Sequence, residues 1–133
     1  MKVNGKRVLI IDDDPDFILA ARVALTSAGY EVGECLRAAD ALERIHEFRP
    51  DLLILDVMME TGSAGFEVSY LVRKDPSFAA IPILMVTAIH STTRVRFSPE
   101  TDGEFLPVQE LLDKPVPAEK LIAAVGRLLS AAV

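Results

Sequence analysis

The 133-residue chain has one cysteine, no tryptophan and a deficit of basic residues, with 14 lysines and arginines against 20 acidic residues. A single cysteine, Cys35, excludes an internal disulfide and any metal site built from several thiolates. Its apolar neighbours favour a buried structural thiol. The formal net charge of −6 disfavours direct nucleic-acid binding, because proteins that bind nucleic acids present a basic face to the phosphates.

The sequence also lacks long apolar runs. None approaches the length of about 18 residues that suggests a membrane span, and the start, MKVNGKRVLI, lacks the apolar stretch of a secretory signal. We therefore expect a cytoplasmic protein without membrane contact. The length and the half-apolar composition predict one globular domain. We assign residues 1–5 to an N-terminal tail and residues 6–133 to the domain.

Short apolar strands alternate with segments of helical periodicity. The predicted strands are 7–11, 30–35, 51–55, 81–86 and 108–112. The predicted helices run from Asp14-Pro15 to Gly29, over 38–48, from a loop at Thr61 to Gly65 as far as Asp75-Pro76, and over about 117–130. Fully apolar strands in this alternation predict an α/β fold, a doubly wound five-stranded parallel sheet flanked by helices (flavodoxin-like). Residues 88–107 contain several helix breakers and predict an irregular or shortened fourth helix.

Polar residues follow the apolar strands at the points where these strands end. The residues are Asp12, Asp13 and Asp14 after the first strand, Asp56 after the third, Thr87 after the fourth, and Asp113-Lys114-Pro115 after the fifth. Parallel strands place their carboxyl ends along one edge of the sheet, where ligands bind in such folds. Clustered carboxylates suit Mg²⁺, a carboxylate can attack phosphorus, and a lysine and a hydroxyl can stabilise phosphoryl oxygens.

Each of these residues also has an ordinary structural explanation. Asp14 before Pro15 fits a helix N-cap better than a metal ligand. Lys114 could be a solvated loop residue, and Thr87 an ordinary β-branched strand residue. The functional interpretation therefore depends on the joint pattern of acids, hydroxyl and lysine at successive strand ends.

This joint pattern resembles the receiver domain of two-component response regulators (the CheY-like superfamily) over about residues 6–131. The matching segments are VLIIDDDPDF (8–17), PDLLILDVMM (50–59), GFEV (65–68), IPILMVTA (81–88) and DKPV (113–116). The resemblance implies a signalling switch that a sensor histidine kinase or a phosphotransfer protein phosphorylates, and that acts through protein–protein contact with a downstream partner.

The resemblance also implies a role for individual residues. Asp56 is the implied phosphoacceptor, and Thr87 and Lys114 are implied to contact the phosphoryl group. The implied Mg²⁺ ligands are Asp13, Asp12 directly or through water, Asp56, and the backbone carbonyl of Met58. A turnover phosphatase is disfavoured, because such enzymes carry a second aspartate two residues after the nucleophile, where this chain has Met58.

Two of the departures from the family pattern concern the switch and the partner surface. Leu111 stands where the family commonly has tyrosine or phenylalanine, which puts the usual coupling between the threonine and this aromatic residue in doubt. Residues 89–106 form a long segment rich in breakers, which fits either a divergent surface loop or a partner-specific surface. These departures leave a second hypothesis open, a phosphorylation-independent pseudo-receiver that serves as a binding module.

Overall fold

A computed structural model of the chain describes residues 6–56, 64–87 and 110–131. Five parallel strands form one sheet in the order β2-β1-β3-β4-β5. Their bounds are Arg7–Ile11 (β1), Glu31–Cys35 (β2), Leu52–Asp56 (β3), Ile83–Thr87 (β4) and Glu110–Asp113 (β5). The predicted five-stranded, doubly wound parallel sheet is confirmed.

The strands in the middle of the sheet are apolar along their whole length because helices cover both faces. β3 and β4 are buried at every residue, and β1 at every residue after Arg7. Alternate residues belong to two separate apolar clusters. One cluster contains Leu9, Ile11, Leu53, Leu55, Ile83 and Met85, and the other contains Val8, Ile10, Leu52, Ile54, Leu84 and Val86.

Four α-helices lie in the described part of the chain: Pro15–Ser27 (α1), Ala41–Phe48 (α2), Ala64–Lys74 (α3) and Ala118–Ala131 (α4). Residues of α1 and α4 pack on the face of Val8 and Ile10, and residues of α2 and α3 pack on the face of Leu9 and Ile11. The four described helices thus pack on the two faces of the sheet, and the carboxyl edge between these faces is the usual position of a ligand site. No described helix combines the length and the apolar character that a bilayer span requires.

The predicted start of α1 is confirmed. The Asp14 carboxylate accepts a hydrogen bond of 3.0 Å from the Asp16 backbone N–H, and Pro15 occupies the first turn. Gly29 follows the helix with a φ of 102°, a left-handed conformation that glycine adopts without strain. Cys35 is buried, as its neighbours predicted.

Several predicted boundaries need correction. The helix predicted over 38–48 begins as a 3₁₀ turn, Ala38–Asp40, and becomes α-helical at Ala41. Gly65, predicted at the end of a loop, lies in the first turn of α3. β5 extends to Asp113, one residue beyond the predicted end. The predicted irregular fourth helix and residues 108–109 of the predicted fifth strand lie outside the described residues.

We predict that Gly33→Ala destabilises the fold. Gly33 is buried in β2, and a Cβ there would lie 2.9 Å from Cε1 of Phe48. The Phe48 ring is 8% exposed and packs in the core cluster of Leu9 and Ile45, so it cannot move aside without disturbing that packing. Urea unfolding should show a loss of about 1–3 kcal/mol, the usual cost of overpacking a core.

Gly126→Ala in α4 is the matched control for this substitution. A Cβ at Gly126 would lie 3.7 Å from the Tyr30 hydroxyl oxygen, which is ordinary van der Waals contact. Alanine in a helix interior should then stabilise the fold by about 0.5–1 kcal/mol. A Gly33→Ala variant as stable as the wild type would show that the Phe48 ring can shift without lowering the free energy of unfolding.

Candidate functional site

The turn between β1 and α1 presents two adjacent carboxylates in different environments. The Asp12 side chain is fully buried, and its Oδ1 accepts a hydrogen bond of 2.9 Å from the Asp14 backbone N–H. The Asp12 backbone N–H donates to the Cys35 carbonyl at 3.0 Å, which extends the pairing of β1 with β2 to this residue. Asp13 is exposed. The turn therefore offers one inward and one accessible carboxylate at the carboxyl edge of the sheet.

Asp56 is the last residue of β3 and is 5% exposed. One ligand oxygen from each of Asp12, Asp13 and Asp56 lies within 4.8 Å of the others. The parallel register explains this proximity, because Ile11, immediately before Asp12, pairs with Leu55, immediately before Asp56. The structure thus brings together the three carboxylates that the strand ends predicted.

Lys114 approaches this cluster from the end of β5. Its Nζ lies 3.0 Å from Oδ2 of Asp12, 3.8 Å from Oδ2 of Asp56 and 4.0 Å from Oδ2 of Asp14. Only 15% of the Lys114 side chain is exposed. The interpretation of Lys114 as a solvated loop residue is therefore wrong, and the ammonium is an integral part of the acidic cluster.

Thr87 ends β4 next to Asp56 and is fully buried. Its neighbour Val86 pairs with Asp56 in the sheet, and Thr87 itself pairs with Asp113. The Thr87 carbonyl accepts a hydrogen bond of 2.7 Å from the Lys114 backbone N–H. The hydroxyl and the ammonium thus belong to two strand ends that are joined by a backbone hydrogen bond. The predicted carbonyl ligand, Met58, lies outside the described residues.

Burial dominates the electrostatics of Asp12. Desolvation raises the pKa of the Asp12 carboxyl above its ordinary value, although the nearby Lys114 ammonium and a hydrogen bond from the Asp14 backbone N–H act in the opposite direction. Neighbouring carboxylates repel one another, so the cluster gains from additional positive charge. Within the described part of the chain, Asp12 Oδ2 accepts no well-aligned hydrogen bond, and Lys114 is its ion-pair partner.

These observations fit a divalent cation. Mg²⁺ prefers hard oxygen ligands and keeps part of its water, so a few carboxylates at an accessible edge are suitable for it. Asp12 and Asp56 supply buried carboxylates, and the exposed Asp13 supplies one on the solvent side.

One neighbour of the cluster was not predicted. The Lys114 Nζ lies 4.7 Å from the centroid of the Phe17 ring, in the first turn of α1. In the sequence, Phe17 appears only as the last residue of the family-like segment VLIIDDDPDF (8–17). A signal was present in the sequence, because Phe17 follows the N-cap Asp14 by three residues and therefore lies in the first turn of α1, close to the acidic turn.

A doubly wound parallel sheet with acids and a lysine at its carboxyl edge defines a class of α/β domains with a ligand site at the strand ends. The family model of the response regulator receiver domain matches residues 8–126. The chain therefore belongs to the receiver domains of two-component response regulators, as the sequence motifs indicated.

Individual relatives agree with this assignment. The chain is 32% identical to the DNA-binding dual master transcriptional regulator RpaA of Synechocystis, over 92% of this chain and 48% of RpaA. It is 38% identical to the sensor histidine kinase TmoS of Ectopseudomonas mendocina, over 93% of this chain and 12% of TmoS. The structure of the chemotaxis protein CheY4 of Vibrio cholerae matches with a TM-score of 0.79 and 30% identity, over 92% of this chain and 98% of CheY4.

The first curated relatives are longer proteins. The chain spans 48 to 51% of the length of RpaA, of the DNA-binding response regulator MtrA and of the transcriptional regulatory protein GltR, so it corresponds to about half of each. The family match shows a receiver domain. The output activities of these relatives are properties of those longer proteins and are not assigned to this chain.

We predict that Asp12→Asn changes how stability depends on pH when EDTA removes metal ions. Because the folded-state pKa of Asp12 is raised, its contribution to stability is present at acid pH and is lost as the pH rises through that pKa. Asparagine does not titrate in this range. Thermal unfolding should therefore show the stability of the variant rising relative to that of the wild type as the pH increases from about 4, the ordinary pKa of aspartate, toward neutrality.

Asp16→Asn is the control, because it removes an exposed carboxylate from the first turn of α1 with the same change in net charge. A difference between Asp12→Asn and wild type that stayed constant over this pH range would contradict the assignment of a desolvated Asp12 carboxylate.

Proposed function

We propose that residues 6–133 form a phosphoacceptor receiver domain, in which a sensor histidine kinase or a phosphotransfer protein phosphorylates Asp56 with Mg²⁺ bound. The observation that carries this proposal is the environment of Asp56. Its buried carboxylate lies 3.8 Å from the Lys114 ammonium and shares a 4.8 Å cluster with the oxygens of Asp12 and Asp13. That set combines a nucleophile, a cation site and a phosphate-binding ammonium at one sheet edge.

The chemistry is a phosphoryl transfer between two protein side chains. An Asp56 carboxylate oxygen attacks the phosphorus of a phosphohistidine, and the new P–O bond forms as the P–N bond breaks. The electron pair of the broken bond returns to the imidazole nitrogen, which then takes a proton from solvent. The Lys114 ammonium and the Thr87 hydroxyl stabilise negative charge on the phosphoryl oxygens, the role of preorganised donors in such reactions.

Asp12, Asp13 and Asp56 would hold the Mg²⁺ ion, with the Met58 carbonyl as a further ligand. When bound, Mg²⁺ supplies positive charge that offsets the charge of the acidic cluster and of the incoming phosphoryl oxygens. The Asp12 carboxylate is buried, so its desolvation cost is already part of folding. Asp13 is exposed, so its carboxylate can bind a cation without such a cost from burial in the protein.

Phosphorylation adds about two negative charges to the carboxyl edge, which changes the surface that a partner meets. We propose that the readout is contact with a downstream protein, in the cytoplasm and without direct nucleic-acid binding by this domain. The net charge of −6 supports this, because like charge opposes contact with nucleic-acid phosphates.

One observation favours the second candidate, a phosphorylation-independent binding module. Leu111, where the family commonly has an aromatic residue, is partly buried against the cluster of Leu53, Ile83 and Met85. An aliphatic side chain packed there cannot act as the rotating aromatic ring of the usual switch. The complete set of Asp56, its neighbouring acids and Lys114 supports the phosphoacceptor proposal instead.

We predict that acetyl phosphate with Mg²⁺ adds one phosphoryl group to the wild type, read by intact mass, and that Asp56→Asn abolishes the addition. Asp51→Asn is the matched control. Asp51 precedes the same strand at its other end, where its carboxylate accepts a hydrogen bond of 2.8 Å from the Arg7 backbone N–H. An asparagine oxygen can accept the same hydrogen bond, so this variant should be phosphorylated like the wild type.

The outcomes separate the two candidates. Addition to Asp56→Asn as well would place the phosphoryl group on another residue. No addition to the wild type under conditions that phosphorylate a known receiver domain would reject the phosphoacceptor and leave the binding module.

We also predict that Mg²⁺ stabilises the wild type against thermal unfolding and that Asp13→Asn removes most of this effect. At a Mg²⁺ concentration ten times its Kd, the gain should be about 1.4 kcal/mol. Asp16→Asn controls for the loss of one exposed negative charge nearby. An equal Mg²⁺ response in the Asp13→Asn variant would show that the ion binds without Asp13.

A further inference from the structure

The Lys114 ammonium has an aromatic neighbour in addition to its carboxylates. The Phe17 ring centroid lies 4.7 Å from Nζ, within the range in which a ring attracts a cation through its quadrupole. The ammonium is therefore held by Asp12 at 3.0 Å, by the more distant Asp56 at 3.8 Å and by the aromatic ring. None of the roles proposed above uses Phe17.

The packing of Phe17 does not by itself require an aromatic residue. Phe17 is partly buried in the cluster of α1 and α4. It also lines a hollow of about 60 Å³ whose other walls are mostly small or branched side chains: Ala20, Ala21, Ala24, Val116, Ala118 and Leu121. A leucine would supply similar apolar contact there. What only an aromatic ring supplies is the negative face beside the ammonium.

The Phe17 ring affects where the Lys114 ammonium lies between the carboxylates of Asp12 and Asp56. Lysine carries its charge on a flexible stem, and fixing that stem costs conformational entropy. The ammonium is closer to Asp12 than to Asp56, but a phosphoryl group on Asp56 needs it on the Asp56 side. Attraction to a ring face is less directional than a hydrogen bond, so the ring can hold the ammonium over the cleft while its hydrogen-bond partner changes.

We propose that Phe17 is a positioning residue that acts through Lys114: its ring holds the ammonium within reach of the phosphoryl group on Asp56. This inference rests on the proposed phosphoacceptor function of Asp56. It adds a residue of α1 to a site otherwise built from strand ends.

The test replaces Phe17 by leucine and by tyrosine and measures the affinity for beryllofluoride with Mg²⁺, together with the rate of phosphorylation by acetyl phosphate. Phe17→Leu should weaken both by roughly three- to thirtyfold, the range expected for losing one cation–π contact at a partly desolvated site. Phe17→Tyr keeps the ring face and should stay close to the wild type. A tyrosine variant as impaired as the leucine variant would overturn the proposal.

Phe48→Leu is the matched control for this change. It also removes a ring beside a cation, because Arg7 and Arg44 lie 4.9 and 5.4 Å from the Phe48 centroid, but it does so in α2, away from the acidic cluster. It should lower the midpoint of thermal unfolding and leave beryllofluoride affinity unchanged. Equal losses of affinity in Phe48→Leu and Phe17→Leu would assign the effect to general destabilisation and overturn the proposal.

A double-mutant cycle tests whether Phe17 acts through Lys114. In a Lys114→Met background, Phe17→Leu should cause no further loss of beryllofluoride affinity, because the cation that the ring holds is gone. A loss of the same size in both backgrounds would overturn the proposal, since the ring would then act by another route.

An NMR measurement tests the contact between the Phe17 ring and the Lys114 side chain independently of phosphorylation. With ¹³C-labelled lysine, the ε-methylene proton signals of Lys114, assigned by their loss in Lys114→Met, should lie upfield in the wild type and in Phe17→Tyr compared with Phe17→Leu. If the wild type accepts neither phosphoryl group nor beryllofluoride but shows this shift, the phosphoacceptor proposal fails while the ring–ammonium contact stands. Signals at the same position in all three proteins would overturn the positioning role by itself.

Discussion

The buried ion pair between Lys114 and Asp12 is the constraint on which the edge of this sheet depends. The lysine follows β5 and the aspartate follows β1, and β3 and β4 lie between these strands. The lysine side chain therefore reaches over two strand ends to bring its charge to a carboxylate that has no exposure to water. A buried carboxylate whose cation is removed is strongly destabilising, so Lys114 makes it possible for Asp12 and Asp56 to be buried together.

The rest of the fold positions these charged side chains at the edge of the sheet. The polar residues at the strand ends contribute to the register, because a slip of one residue would move Asp56 off the edge of the sheet and would repack both apolar clusters. That register sets the strand ends level, so that residues near the two ends of the chain meet at one edge. Packing that is uniform and apolar along the sheet thus supports a polar cluster that would not be stable alone, which is the usual relation between a scaffold and its functional site.

The sequence predicted most of the sheet and the gathering of the acids because both follow from strong signals. Continuous apolar runs ending in aspartates identify buried parallel strands and their direction, and Asp14-Pro15 identifies the start of α1. Distances between side chains do not follow from such patterns. That Lys114 lies nearer to Asp12 than to Asp56, and that Phe17 faces its ammonium, depends on tertiary packing. The same holds for Leu71, an apolar residue of the predicted third helix that is 47% exposed.

In the proposed function, the Lys114 ammonium transmits a change of charge at Asp56 to the neighbouring strand ends. The Lys114 Nζ lies 3.0 Å from Oδ2 of Asp12 and 3.8 Å from Oδ2 of Asp56, so it is closer to Asp12. Adding negative charge on Asp56 strengthens the attraction in that direction, because the Coulomb energy grows with the charge. The Lys114 backbone N–H is bound to the Thr87 carbonyl at 2.7 Å, so a pull on the side chain acts on the junction between β4 and β5. A rearrangement that starts at the Lys114 ammonium would thereby reach the end of β4, which carries Thr87, the proposed second contact of the phosphoryl group.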